Sequence, residues 1–121
     1  MCLHRVTKQN PKKEGYGWKV FEKTKCGGLV GQFYNGAKFK EGVWQTDKNP
    51  GVIKDDVYRN FTYPAGFHIY KTRQAARVNR HSLTETVRRV RYKEALVEGE
   101  LNDDKVIVAR KIFIFTTKKT R

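Results

Sequence analysis

Residues 105–115 read Lys-Val-Ile-Val-Ala-Arg-Lys-Ile-Phe-Ile-Phe, and few folds can hold such a segment. Successive side chains of an extended chain point to opposite faces. Val106, Val108, Ile112 and Ile114 are therefore expected on one face, and Ile107, Ala109, Phe113 and Phe115 on the other. A strand that is apolar on both sides needs cover on both, which places it at the centre of a sheet.

Shorter segments supply the neighbours. Residues 16–21 alternate, with Tyr16, Trp18 and Val20 on one face, and residues 66–70 return to a strand pattern. Residues 29–34 and 37–40 flank Asn35-Gly36, which suits the positive φ angles of a two-residue hairpin turn. Residues 42–46 can continue the sheet. Along residues 86–97, Val90 and Tyr92 point one way and Arg89, Arg91 and Lys93 the other, before a turn at Leu101-Asn102-Asp103-Asp104. Thr72 is placed to cap a helix over residues 73–81. On it Ala75, Ala76 and Val78 can face the sheet, while Arg73, Arg77 and Arg80 share the outer side. Residues 47–65 are expected to be the longest irregular stretch. The fold class expected is α+β: a mostly antiparallel curved sheet or partly open barrel with one short helix. Residues 1–14 are expected to form a flexible basic arm, and 15–121 a single β-rich domain.

A chain of 121 residues buries roughly two thirds of its unfolded surface and can build a core without staples. Seven Phe, six Tyr and two Trp argue against disorder. Cys2, His4, Cys26, His68 and His81 lack the paired short spacings of a zinc site, so neither metal nor cofactor is expected. No apolar run approaches the ~18 residues of a membrane span, and residues 1–5 lack a signal-like apolar region. A soluble, cytoplasmic protein without a membrane partner is expected.

Charge narrows the class of partner. Twenty-six Lys and Arg face twelve Asp and Glu, a net +14, and such an excess points to a polyanion. The cations are unevenly spread. Lys71, Arg73, Arg77, Arg80, Arg88, Arg89, Arg91 and Lys93 crowd the middle of the chain, whereas residues 94–104 are acidic. Arg73, Arg77, Arg80, Arg88, Arg89, Arg91 and Lys93, with Lys12 and Lys13 of the arm, are the expected nucleic-acid contacts, because the arginine fork matches phosphate oxygens. Trp18, Phe33, Tyr34, Trp44, Tyr58, Phe61, Tyr63 and Tyr70 are interleaved with bases. Most must build the core; Tyr58 and Tyr63, in the long loop, are the expected stacking contacts. His68 and Tyr70 share a strand face and are the candidates for lining a nucleotide pocket or for acid–base chemistry.

A set of short motifs runs along the chain: Gly17-Trp18-Lys19-Val20-Phe21, Phe39-Lys40-Glu41-Gly42-Val43-Trp44, Tyr63-Pro64-Ala65-Gly66-Phe67-His68-Ile69 with Ala75 in the following helix, Val87-Arg88-Arg89-Val90-Arg91-Tyr92 and Lys105-Val106-Ile107-Val108-Ala109-Arg110-Lys111-Ile112. The set resembles a group of small phage- and prophage-encoded proteins of unassigned function. Together the motifs span about residues 15–115. The resemblance implies a viral or mobile-element source and a role in virus–host conflict, and it brings no catalytic residues. The basic charge is not part of the shared pattern. The Gly-Phe-His-Ile strand before an Ala-containing helix also resembles ADP-ribosyltransferase folds, but the late catalytic Glu of that family has no identified counterpart here.

The function expected is a non-catalytic protein that binds nucleic acid or a nucleoprotein effector, in the manner of a counter-defence, CRISPR-inhibitor-like protein. Two alternatives are a sponge that encloses a small nucleotide signal, with Tyr70 and His68 around its pocket, and an ADP-ribosyltransferase-like enzyme.

Overall fold

The structure is a computed structural model and describes residues 3, 5–8, 11–23, 29–31, 38–47, 52–55, 61–64, 66–80, 84–101 and 104–116. Among these residues ten strands and one helix follow in order: β1 (Arg5–Lys8), β2 (Gly15–Lys23), β3 (Leu29–Gly31), β4 (Lys38–Phe39), β5 (Trp44–Thr46), β6 (Val52–Asp55), β7 (Phe61–Pro64), β8 (Phe67–Tyr70), α1 (Arg73–Val78), β9 (Glu85–Leu101) and β10 (Asp104–Ile114). It is a mostly antiparallel, β-rich α+β fold, as the alternating patterns require.

The twofold-apolar segment is central. β10 pairs with β9 along its whole length, and its other edge takes β8 at residues 106–109 and β5 at residues 111–113. β9 in turn receives β2 along residues 85–92 and β1 along residues 98–100. β2 also meets β8 at Trp18↔Tyr70. The strands β9, β10, β8 and β2 therefore ring the core in part, without forming a barrel. The crossing of β2 over β8 is close. A Cβ on Gly17 would stand 2.4 Å from Ile69 Cγ2 and 2.8 Å from the Tyr70 carbonyl oxygen, so only glycine fits there.

Two apolar clusters occupy the two faces of the sheet. One gathers Phe21, Ile69, Val90, Tyr92, Ile107 and Ile112 with their neighbours. The other packs Val20, Tyr70, Val97, Val106 and Val108 under Ala75 and Ala76 of α1. The inward face changes parity along both long strands at one level: Tyr92 and Ile112 lie in the same cluster as Ala95 and Ala109. Glu94, between them, has a positive φ of 55°. The strand expectation for residues 105–115 therefore holds, but its face assignment fails beyond Ala109.

Other expectations need correction. Within the segment expected to be a loose arm, β1 pairs with β9, and buried Leu3 donates its N–H to Tyr63 Oη at 2.9 Å. Within the stretch expected to be irregular, β6 and β7 pair as a two-stranded sheet. The helix starts where expected, with Ala75 N–H donating to Thr72 Oγ1 at 3.1 Å, but it ends at Val78. Asn79 caps it, donating to the Ala75 carbonyl at 2.7 Å and to Asp104 Oδ2 at 3.2 Å. Val78 is left exposed instead of facing the sheet. Asn35-Gly36 lies outside the described residues; its flanks β3 and β4 pair antiparallel. No helix among the described residues is long and apolar enough to cross a membrane.

Candidate functional site

Strand register builds one row of side chains across four strands. Tyr16 of β2 is paired with Arg91 of β9, Arg91 with Phe113 of β10, and Phe113 with Trp44 of β5. Cross-strand partners share a face and touch, so aromatic, cation, aromatic and aromatic stand side by side. The next row towards the helix holds Trp18 beside Arg89, and Phe115 donates its N–H to the Arg89 carbonyl at 3.2 Å. On the far side, Lys93, Lys111 and Thr46 form a third row.

The cations lie over the rings. The Arg89 guanidinium carbon is 5.0 Å from the Tyr16 ring centre and 5.8 Å from that of Phe115. Arg91 stands 5.8 Å from Tyr16 and 5.9 Å from Trp44, and the Lys93 ammonium is 4.7 Å from Trp44. Arg73, from α1, lies 5.6 Å from Trp18. The rings also support one another: Tyr16 stacks on Phe115 at 6.0 Å, and Phe113 meets Trp44 at 5.6 Å and Phe115 at 5.4 Å. A cation over an exposed ring contributes only about 0.5–1 kcal/mol, so these contacts orient the guanidinium and ammonium groups more than they stabilise the fold. Tyr16 remains 54 % exposed and Trp44 38 %.

Few carboxylates reach this face. Glu14 lies 3.4 Å from Arg91, and Glu94 lies 3.1 Å from Lys111. Both acids are more than half exposed, so water and salt weaken these pairs. Among the described residues, Arg73, Arg89 and Lys93 form no ion pair with a carboxylate. The face can therefore attract an anion and offer it flat apolar rings.

The sequence-selected residues divide sharply. Arg73, Arg89, Arg91 and Lys93 come together here. Arg77 and Arg80 are exposed at and just beyond the end of α1. Arg77 follows Arg73 by one turn. Lys12 is exposed, and exposed Lys13 is held beside β9, where its carbonyl accepts from Ala95 N–H at 3.0 Å.

Arg88 does not belong to the face. It shares the parity of Val90 and Tyr92, is 8 % exposed, pairs with Glu41 and donates from Nη2 to the Phe115 carbonyl at 2.6 Å. A buried guanidinium with these partners is a structural tie.

Tyr63, His68 and Tyr70 are all buried in the core. His68 is 2 % exposed, and its Nε2 lies 3.0 Å from Tyr63 Oη. That hydroxyl also accepts from Leu3 N–H, and the imidazole tautomer sets which partner donates across the Tyr63–His68 bond. Burial, then the nearby Lys19 charge, lowers His68 to about 3, so the imidazole is neutral at physiological pH. Lys19 is itself buried, donates to the His68 carbonyl at 3.1 Å, and is lowered by burial to about 8. Burial raises Tyr70 well above its ordinary value. Tyr58 lies outside the described residues.

Sequence reasoning missed Tyr16, Phe113 and Phe115, and it gave Trp44 as one of the rings interleaved with bases without singling it out. Alternation alone did put Tyr16 on one face with Trp18, but the partner strands were not identifiable from it. Among the described residues, no group of three or more His, Cys, Asp or Glu side chains could hold a metal ion. No protein family, curated protein or solved structure matches the chain.

Proposed function

We propose that this protein is a non-catalytic nucleic-acid-binding protein, and that it binds through the outer face shared by β2, β9, β10 and β5. The observation that carries this reading is the alternation Arg73–Trp18–Arg89–Tyr16–Arg91–Trp44–Lys93, a line of cations and rings continuous from the helix across the sheet. Phosphates draw on the cations, and the net charge of +14 steers any polyanion towards the molecule. Binding is governed by backbone position and ring stacking, since among the described residues no groove-reading element accompanies the face. A binding role is favoured over a catalytic one by His68, the group an enzyme would use, which is neutral and enclosed. Enclosure of His68 and Tyr70 likewise disfavours a sponge built around them. The phage-type motifs extend the proposal to counter-defence, with the protein occupying a guide or target strand of a nucleoprotein effector.

The test is an affinity titration against oligonucleotides at low salt, with Arg89→Glu and Arg91→Glu beside the unaltered protein. Binding that these charge reversals abolish, in a protein that still melts cooperatively, is the expected result. Equal binding by the reversed protein would remove this face from consideration.

A further inference from the structure

We infer that the nucleic acid this face takes is single-stranded, with bases stacked on Tyr16 and Trp44 and the backbone held by Arg89, Arg91 and Lys93. The inference rests on the nucleic-acid reading of the face and adds what that reading leaves open, the strandedness of the ligand.

A duplex turns its phosphates outward and closes its base faces against one another. Its electrostatic attraction needs cations alone, as in wholly phosphate-directed binding. Exposed rings set between the cations would then meet hydrated phosphate and add nothing. A single strand offers both groups, an anionic backbone and open base faces, and every base has such a face. The geometry suits that combination. Tyr16 and Trp44 are three strand steps apart on one row, about 14 Å at the usual inter-strand spacing. Arg91 stands between them, within 6 Å of both ring centres, and Lys93 is 4.7 Å from Trp44. Four-stranded recognition sheets stack two or three bases on platforms of this kind, and arginine guanidinium planes add stacking surface. Both rings rest against a neighbouring ring on the same face, Tyr16 against Phe115 and Trp44 against Phe113, so less side-chain freedom remains to be lost on binding. Arg73 over Trp18 extends the track towards α1, which gives the strand a direction along the row of cations.

The experiment compares three probes at one salt concentration: an oligothymidylate of about 12 nucleotides, within the site sizes of such platforms, a duplex of equal phosphate count, and inorganic polyphosphate. Each is titrated against the unaltered protein, Tyr16→Ala and Trp44→Leu; the leucine keeps apolar cover over Phe113 while removing the ring. The single strand is expected to bind more tightly than the duplex. Each ring variant should weaken it by about 5- to 150-fold, the range of one lost stacking contact, with polyphosphate binding and the salt dependence unchanged. If duplex and single strand bind alike and both ring variants are silent, strandedness selection is overturned while nucleic-acid binding stands. If no oligonucleotide binds at low salt, the proposed function falls as well. A variant that weakens polyphosphate as much as the single strand has lost charge placement instead of stacking, and that also overturns the inference.

Discussion

Single atoms decide several features of this molecule. Gly17 lets β2 cross β8, and the groups its Cβ would strike include the Tyr70 carbonyl, a backbone atom that cannot rotate away. Gly17→Ala is therefore expected to cost about 3 kcal/mol, at the upper end of overpacking penalties, read as a lower urea midpoint with an unchanged slope. The buried bases set the response to pH. His68 is lowered to about 3, so below the ordinary value of ~6.5 the unfolded chain takes up a proton that the folded chain refuses. Stability should fall as pH drops from 6.5 towards 3, by about 2 kcal/mol between pH 6.5 and 5, before most carboxylates titrate. His68→Gln, whose amide can still hydrogen-bond with the Tyr63 hydroxyl, should flatten that slope in denaturation curves. Lys19, lowered to about 8, has the same sign in another window: the folded lysine loses its proton first, and stability rises as pH climbs from about 8 towards 10.5.

The long strand β9 turns neighbouring arginines to opposite sides of the sheet. Arg88 faces inward to Glu41 and the Phe115 carbonyl, whereas Arg89 faces outward over Tyr16. Arg88→Ala should cost about 2 kcal/mol of stability, less than for a fully enclosed pair because Glu41 is partly exposed. Arg89→Ala should stay within about 0.5 kcal/mol, as exposed substitutions usually do, and should instead weaken nucleic-acid binding. Thermal melts and titrations of the two variants check both halves. Period-two alternation sets Arg88 with Val90 and Tyr92, yet Arg88 was expected among the contacts because its charge was weighed before its parity. The strand at residues 66–70 and the Thr72 cap were legible directly. Alternation could not reveal β1. Four residues, Arg-Val-Thr-Lys, carry no pattern of their own, and they become a strand because the β9 edge near Glu98 and Glu100 accepts them. The β6–β7 hairpin was similarly hidden within a segment whose turn signals outweighed two short apolar runs.

At the scale of the whole molecule, a net charge of +14 acts on stability and on binding with opposite signs. Salt screens self-repulsion over about 10 Å at 0.1 M, so the melting temperature should rise as sodium chloride goes from about 0.05 to 0.3 M. Affinity for single-stranded nucleic acid should fall over the same range. Four engaged cations predict a log–log slope of about −3. A melting temperature indifferent to salt would mean that the cations are neutralised within the fold.

Composition and alternation were sufficient for a strongly basic, β-rich chain with an outward row of Arg89, Arg91 and Lys93, because those properties are local to each strand. The platform is not local. Between the turn and the far end of the β9–β10 hairpin the pairing slips by one residue, past Leu96, so that Val108 opposes Val97 but Ala109 opposes Ala95. Counting outward from the turn without that slip would set Arg91 opposite Ile114 and send Phe113 to the other face. Because side chains reverse face at every residue, one bulged position carries Phe113 and Phe115 onto the cationic side. There β2 and β5, docked from distant parts of the chain, add Tyr16 and Trp44. A strand's own pattern says which side chains travel together, and only its pairing with other strands determines what they stand beside.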